Sequence, residues 1–281
     1  MACSETQHAE GGSEEQRFLE AYRMEDYFRP SLAVDIAAFT LADSSGGGRS
    51  GEKKLSLLLI RRGEHPFLHA WALPGGFLRQ TETLEACAER EIREETNLAP
   101  AALMPVGAFS RIDRDPRGRV VTQAFAAVMG GEEAPVIGGD DAADARWFTV
   151  TFEEGTPCRL TLTCGEIVLA AALRCTGRRF RIASYEVLDS GGLAFDHAQI
   201  IATAIYMLRS NATDFDFIFD FLPETFTLTQ LQRVQETVLN TSLLPADFRR
   251  RILPHVEATG EMTSGESHRP AKLYRKKLKS N

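Results

Sequence analysis

The sequence predicts an α/β fold, with strands gathered around one long acidic helix and a smaller helical unit ending in a hairpin. Three observations carry this. Apolar runs of strand length recur at Ser31 to Leu41, Leu55 to Arg61, Val120 to Met129, Ala145 to Val150, Arg159 to Thr163 and Phe180 to Val187. A helix-length acidic segment, Thr83 to Thr96, lies among them. After Gly191 and Gly192 the period turns helical, at Leu193 to Leu208, Phe226 to Leu239 and Pro245 to Leu253. Strand-like pieces at Glu257 to Thr263 and Lys272 to Arg275 follow. The expected divisions are an N-terminal extension (1–30), an α/β domain (31–190) and a C-terminal domain (191–281).

Composition bounds the function. The 281 residues are 43% hydrophobic and 25% charged, enough for a sizeable buried core. No apolar run approaches the roughly 20 residues that cross a bilayer, so no membrane association is expected. The polar stretch Met1 to Gly12 lacks the basic-then-apolar pattern of a secretory leader. The five cysteines, Cys3, Cys87, Cys158, Cys164 and Cys175, are odd in number and include no CxxC pair. Neither a disulfide framework nor a zinc site is expected, and the reducing cytoplasm is the expected location. Cys87, inside the acidic helix, reads as a small buried hydrophobe.

Taken in order, residues 1–30 form a polar start and a short amphipathic segment around Phe18 to Tyr27. Ser44 to Gly51, rich in Ser and Gly, reads as a hairpin-like connection between the first two strands. Leu73 to Gly76 reads as a turn that opens the acidic helix. Thr156 to Leu188 reads as an added β-hairpin.

The chemistry concentrates in Gly75 to Leu98. At about 100° per residue, Glu91, Glu94 and Glu95 share a side with Leu84, Cys87 and Ala88, while Glu85 and Glu89 face solvent. Like charges one turn apart destabilise a helix by a few tenths of a kcal/mol, and burial deepens the penalty. A hard divalent cation offsets it: magnesium prefers oxygen ligands and bridges carboxylates to phosphates, with manganese as the alternative. Gly75 would let a backbone carbonyl approach the same cation, and Arg90 could pair with and orient a neighbouring carboxylate. The plain alternative is a solvated glutamate-rich helix.

Gly76, Glu82, Arg90, Glu91, Ile92, Glu94, Glu95 and Leu98 match the Nudix box: glycine, five residues, Glu, seven residues, then Arg-Glu-apolar-x-Glu-Glu-x-Gly-apolar. Asn97 stands where that pattern has glycine, and Asn tolerates the left-handed backbone. The resemblance implies a Nudix α/β/α sandwich. Glu91, Glu94 and Glu95 would bind magnesium and assist water attack on a diphosphate, with Glu82 and Arg90 in support. Arg62 to Phe67, Trp71 to Pro74 and Arg114 to Arg119 resemble the ADP-ribose-directed branch of the family. Arg62, Arg114, Arg117 and Arg119 are accordingly candidate contacts to the phosphates.

Net charge is −7, which argues against a chain that binds nucleic acid along its whole surface. Yet Arg269 to Lys279 carries six basic residues and no acidic one, and Arg249, Arg250 and Arg251 run consecutively. Thr229 at an N-cap with Gln232 reaching back is the expected capping box of the first C-terminal reader helix. Pro245 suits the first turn of the next, which would expose Arg249 and Arg250 around buried Phe248 and Ile252. A helix, a short connection and an arginine-bearing helix is the plan of a helix-turn-helix, and Thr259 to Arg275 would be a wing beside the phosphate backbone. Arg249, Arg250, Arg269, Lys272 and Arg275 are the candidate DNA contacts. With Leu193 to His197 and Phe226 to Thr229, these segments resemble the Nudix-related transcriptional regulators of NAD metabolism and their hydrolase relatives. His197 reads as a structural histidine. The resemblance implies a C-terminal winged helix-turn-helix domain, double-stranded DNA as partner and a homodimer. Two functions follow: magnesium-dependent hydrolysis of a nucleoside diphosphate derivative such as ADP-ribose, or an ADP-ribose-responsive transcriptional regulator. A third, protein contact through the C-terminal helices alone, is the blander reading.

Overall fold

The computed structural model describes residues 8–43, 53–97, 99–130, 144–180, 182–263 and 270–277. The segments Ser44 to Gly51, Leu98 and Arg269, each read from sequence above, lie outside the described residues. Two compact units are present, Met1–Ser31 and Leu32–Asn281. In the first, helix α1 (His8–Ala21) precedes a 3-10 turn at Met24–Asp26. The exposed rings of Phe18, Tyr22 and Tyr27 form a ladder, with consecutive centroids 5.6 Å apart. Among the described residues no helix is long and apolar enough to cross a membrane.

The second unit is built on one sheet. Its strands are β1 (Ser31–Asp43), β2 (Lys53–Arg61), β3 (Trp71–Ala72), β4 (Gly75–Phe77), β5 (Ala102–Phe109), β6 (Val120–Val128), β7 (Asp144–Glu153), β8 (Cys158–Cys164), β9 (Ile167–Arg179) and β10 (Ile182–Asp189). They lie in the order β10-β9-β8-β7-β2-β1-β6-β5, with β3 beside β2 and β4 beside β1. Alternation decides the two faces. Val34, Ile36 and Ala38 of β1 pack with Phe125 and Ala127 of β6 against Cys87, Ala88 and Ile92 of helix α2 (Leu84–Thr96). Ala37, Phe39 and Leu41 point the other way, into a core shared with Ile201, Ile205 and Leu208 of helix α3 (His197–Asn211). A strand buried on both faces reads as a continuous apolar run, which is why β1 is apolar from Leu32 to Ala42 apart from Asp35 and Thr40.

The structure differs from the sequence reading in four places before the end of α3. Leu73 to Gly76 is not simply a turn: Gly75–Phe77 pairs with Ala33 to Asp35 as strand β4. Residues 156–188 form a three-strand meander rather than one hairpin, because β8 pairs with β7 and each later strand with its predecessor. Strands β5 and β9 were not expected from sequence; β9 is rich in alanine, which has little strand preference. Helix α3 starts at His197 rather than Leu193. Leu193 bridges Trp71, the Ala194 N–H donates to the Trp71 carbonyl, and Phe195 takes a left-handed φ of 50°, so those residues are committed elsewhere.

Helix α4 (Phe215–Phe219), helix α5 (Leu228–Leu239), helix α6 (Pro245–Ile252) and the hairpin β11 (Val256–Met262) with β12 (Lys272–Lys276) complete the chain. The capping box exists but two residues earlier than expected. Thr227 Oγ1 accepts from the Gln230 N–H at 3.1 Å, and Gln230 Oε1 accepts from the Thr227 N–H at 2.7 Å. Phe226 explains the offset: its backbone exchanges hydrogen bonds with Tyr274 of β12, so the chain is extended up to Thr227. Phe226, Leu231, Val234, Phe248 and Ile252 join the same core as the sheet and α3.

Candidate functional site

Helix α2 begins at a Thr83 cap, whose hydroxyl accepts from the Ala86 N–H at 3.2 Å. It ends at Asn97, in the left-handed conformation (φ 56°, ψ 23°) that its replacement of glycine requires. Between these ends Arg90 organises the acidic groups. Its Nε and Nη2 donate to Glu82 at 2.9 and 2.7 Å, and its Nη1 donates to Glu91 at 2.6 Å and Glu94 at 3.0 Å. These bonds hold the Glu82 carboxyl down to about 2. Glu85 and Glu89 are exposed, as their helical positions imply.

Glu95 is set apart from that cluster. Burial, and then the neighbouring charge of Glu91, push its pKa well above the usual carboxylate range, against one hydrogen bond from the Gly75 N–H. Its Oε2 is buried with no hydrogen-bond partner among the described residues. The two glycines of β4 make the close packing feasible: a Cβ on Gly75 would run into the Val34 carbonyl, and one on Gly76 into the Glu91 carboxylate. No group of three His, Cys, Asp or Glu side chains in metal-binding geometry occurs among the described residues, since Glu91 and Glu94 are turned to Arg90. The donor chemistry nevertheless fits a hard cation. Three carboxylates crowd one helix end, and one of them is buried with an unpartnered oxygen.

Glu95 opens into a cavity of about 300 Å³. Asp35, Arg62, Glu64, Gly75, Gly76, Phe77, Arg114, Asp115, Arg117, Phe195 and His197 share its wall, so strands β1 and β4, two loops and the entry to α3 converge there. The four candidate arginines separate. Arg62 and Arg117 reach the cavity as cations. Burial, then the charge of Arg117, pull the Arg62 guanidinium below its usual range, and its Nε is held by the Pro66 carbonyl at 2.7 Å. Arg114 is a wall element: its side chain is 4% exposed and bonds Asp196 at 3.0 and 2.8 Å and Asp35 at 2.9 Å. Arg119 does not reach the cavity and donates to the carbonyls of Ser110 and Arg111.

Sequence reasoning missed Asp35, Asp196 and Phe195. Asp35 carried a signal, a charge inside an apolar strand that only a buried partner makes tolerable. His197 is the satisfied histidine expected. Its Nδ1 accepts from the Leu73 N–H at 2.9 Å, which leaves the proton on Nε2, facing Asp35 at 3.3 Å. Burial of Asp35 is outweighed by His197 and Arg114, which hold its carboxyl at about 2.

The C-terminal helices and hairpin present basic groups on two elements. On α6, Arg249 and Arg250 are exposed around buried Phe248 and Ile252, with Arg250 paired to Asp247 at 3.0 Å. On the hairpin, Lys272 is exposed, and Arg275 pairs with Glu257 at 2.6 Å.

Sheet, acidic helix, cavity and basic helix–hairpin define a Nudix domain fused to a DNA-binding winged helix. The NUDIX domain model matches residues 39–153, and the model of the NrtR DNA-binding winged helix domain matches residues 218–276. A protein of Acinetobacter baylyi described as an ADPR responsive transcriptional repressor, NtrR, is 31% identical over 94% of this chain and 88% of its own length. The ADP-ribose pyrophosphatase of Methanocaldococcus jannaschii is 40% identical over 47% of this chain and 69% of its own. The crystal structure of Shewanella oneidensis NrtR complexed with a 27mer DNA aligns with TM-score 0.60 at 27% identity, covering 88% of this chain and 93% of that one. The chain belongs to the family of Nudix-related transcriptional regulators with an NrtR-type winged helix.

Proposed function

We propose that this chain is a homodimeric, cytoplasmic DNA-binding regulator whose Nudix cavity takes ADP-ribose or a closely related nucleoside diphosphate. The observation that carries this reading is the shared cavity wall: Nudix residues Arg62, Glu95 and Arg117 face Phe195 and His197, which begin the connection to the winged helix. Two cationic guanidinium groups suit a diphosphate, and the name of the Acinetobacter relative supports the ligand class. The test is a titration of duplex DNA from the chain's own upstream region, with and without ADP-ribose. Nucleotide-dependent DNA affinity is expected; an affinity unchanged by nucleotide overturns the reading.

A second activity is favoured by the complete acidic helix. We propose that Glu91, Glu94, Glu95 and the Gly75 carbonyl hold a divalent cation, magnesium or manganese, with Glu82 and Arg90 positioning the carboxylates. When bound, that cation neutralises phosphate charge and lowers the pKa of an attacking water. The name of the Methanocaldococcus relative supports hydrolysis of ADP-ribose. Release of AMP from ADP-ribose, dependent on added cation, is expected; no turnover of it or of related dinucleotides removes the enzymatic reading and leaves the regulatory one standing. Arg249, Arg250, Arg269, Lys272 and Arg275 remain the proposed DNA contacts.

A further inference from the structure

The cavity holds two guanidinium groups, Arg62 and Arg117, the second bonded to Asp115 of the same wall at 3.0 and 2.7 Å. Arg62 and Arg117 converge on the same ring, that of Phe195, with guanidinium carbons 4.9 and 5.8 Å from its centroid. Arg117 also lies 5.2 Å from the Phe77 ring, and Phe67 packs against Phe195 in a tilted arrangement, centroids 4.7 Å apart. An aromatic face attracts a guanidinium by its quadrupole, and together with the Asp115 carboxylate it holds two like charges in proximity. Phe195, Phe67 and His69 all adopt left-handed φ, at 50°, 60° and 66°. Non-glycine residues rarely do so, and such strain gathers at ligand clamps and switches.

Phe195 also stands at the head of α3. The next residue, Asp196, occupies the N-cap of that helix, yet its side chain makes no capping bond; both its oxygens bond Arg114 instead. The following residue, His197, is locked between Leu73 and Asp35. The start of α3 is thus fastened to the cavity wall at the expense of its own cap. Fifteen residues on, about 22 Å along the axis, the Ala212 carbonyl at the end of α3 accepts a 2.8 Å bond from Gln235 Nε2 of α5, the first helix of the helix-turn-helix. Gln235 is 1% exposed, and its Oε1 has no partner among the described residues. A half-satisfied buried amide costs stability that an apolar residue of similar shape would not. It suits an element with two arrangements better than a static joint.

We propose that Phe195 is the positioning residue of a two-arginine diphosphate clamp, and that its occupancy is carried through α3 to Gln235 and the DNA-reading helices. This rests on the regulatory reading above and assigns its transmission line. Ligand affinity is read by calorimetry with ADP-ribose. Coupling is read as the ratio of DNA affinities with and without it. In Phe195→Leu, ADP-ribose binding weakens about tenfold, the scale of two cation–π contacts, and Phe195→Tyr restores it. In Gln235→Leu, ADP-ribose affinity stays at the wild-type value while the coupling ratio falls from the several-fold or greater value typical of linked sites towards one. Wild-type ligand affinity in Phe195→Leu, or a weakening that Tyr fails to restore, overturns the positioning role. An undiminished ratio in Gln235→Leu overturns the relay. A wild-type chain with a ratio of one defeats the regulatory reading itself, a separable result. Should Gln235→Leu not fold, hydrogen exchange on the wild type decides: slowed exchange on ligand addition in both the first turn of α3 and α5 supports the relay, and slowing confined to the cavity loops overturns it.

Discussion

Arg114 shows how a single residue can change its meaning between sequence and structure. In sequence it is one of several arginines around a Pro-Arg-Gly turn. In the fold it is buried against two carboxylates, Asp35 and Asp196, whose side chains are 12% and 2% exposed. Removing one partner of such a group leaves uncompensated charge, at a cost of about 3–5 kcal/mol. Arg114→Met is therefore expected to lower stability by that amount in urea unfolding, whereas Arg111→Met, whose side chain is 57% exposed and pairs with an exposed Asp113, should leave stability nearly unchanged. The same network sets an acid limit. Asp35 has its folded pKa near 2, below the usual 3.8, so its contribution is fully present above about pH 4 and is lost as pH falls through 2. Unfolding free energies measured from pH 5 down to pH 2 should show that loss, about 2 kcal/mol, and Asp35→Asn should lack it. Glu95 works in the opposite direction. Its folded pKa is raised, so the folded state is destabilised above the ordinary carboxylate pKa and relieved as pH falls. Without added cation, Glu95→Gln is expected to raise the melting temperature at pH 7. With cation, any ADP-ribose hydrolysis should drop by about 100-fold or more, as for a lost metal-site interaction. A melting temperature unchanged or lowered would contradict the buried, unpartnered carboxylate.

The elements were legible to the degree that their own residues decide them. The period of α2 placed Glu85 and Glu89 in solvent and Cys87 and Ala88 in the core, because 3.6-residue geometry sets which positions share a face. Strands β1 and β2 were readable as apolar runs. What escaped depends on partners distant in sequence. The three residues of β4 are a strand only because β1 lies beside them. The alanines of β9 alternate correctly only once β8 and β10 flank them. The cap of α5 moved to Thr227 because Tyr274, 48 positions after Phe226, holds the preceding residue extended. Residues 193–195 looked helical but are claimed by Trp71 and the cavity. The candidate site followed the same rule. Its acidic helix is local and was visible, while Asp35, Asp196 and Phe195 acquire roles only by convergence. The revised cap is open to a direct check. Thr227→Ala removes the hydroxyl of a complete box and should destabilise by about 1 kcal/mol, while Thr229→Ala should have an effect of a few tenths at most. Equal losses would argue that the α5 boundary lies elsewhere.

At the scale of the molecule, charge is divided between the two functions. The chain is acidic overall, 39 acidic against 32 basic residues, yet its last described elements present arginine and lysine on α6 and the hairpin. A duplex approaching that end meets local attraction and, beyond it, net repulsion from the rest of the chain. Binding should then be strongly weakened by salt, since each phosphate neutralised releases condensed counterions and contributes about −0.9 to the slope of log K against log salt. The two basic elements should differ in what their loss does. Lys272, exposed on the hairpin, has the position of a backbone contact. Lys272→Ala is expected to reduce the magnitude of the slope by about one and to weaken all sequences alike. Arg249, on the helix that would enter the major groove, should instead alter preference among sequences, costing about 1–3 kcal/mol at the favoured base. Titrating both variants against a specific and a scrambled duplex at several salt concentrations separates the roles. If the two variants change slope and preference identically, α6 is not the reading helix. The basic end would then be an undifferentiated electrostatic surface on which ligand occupancy of the Nudix cavity could alter affinity but not sequence choice.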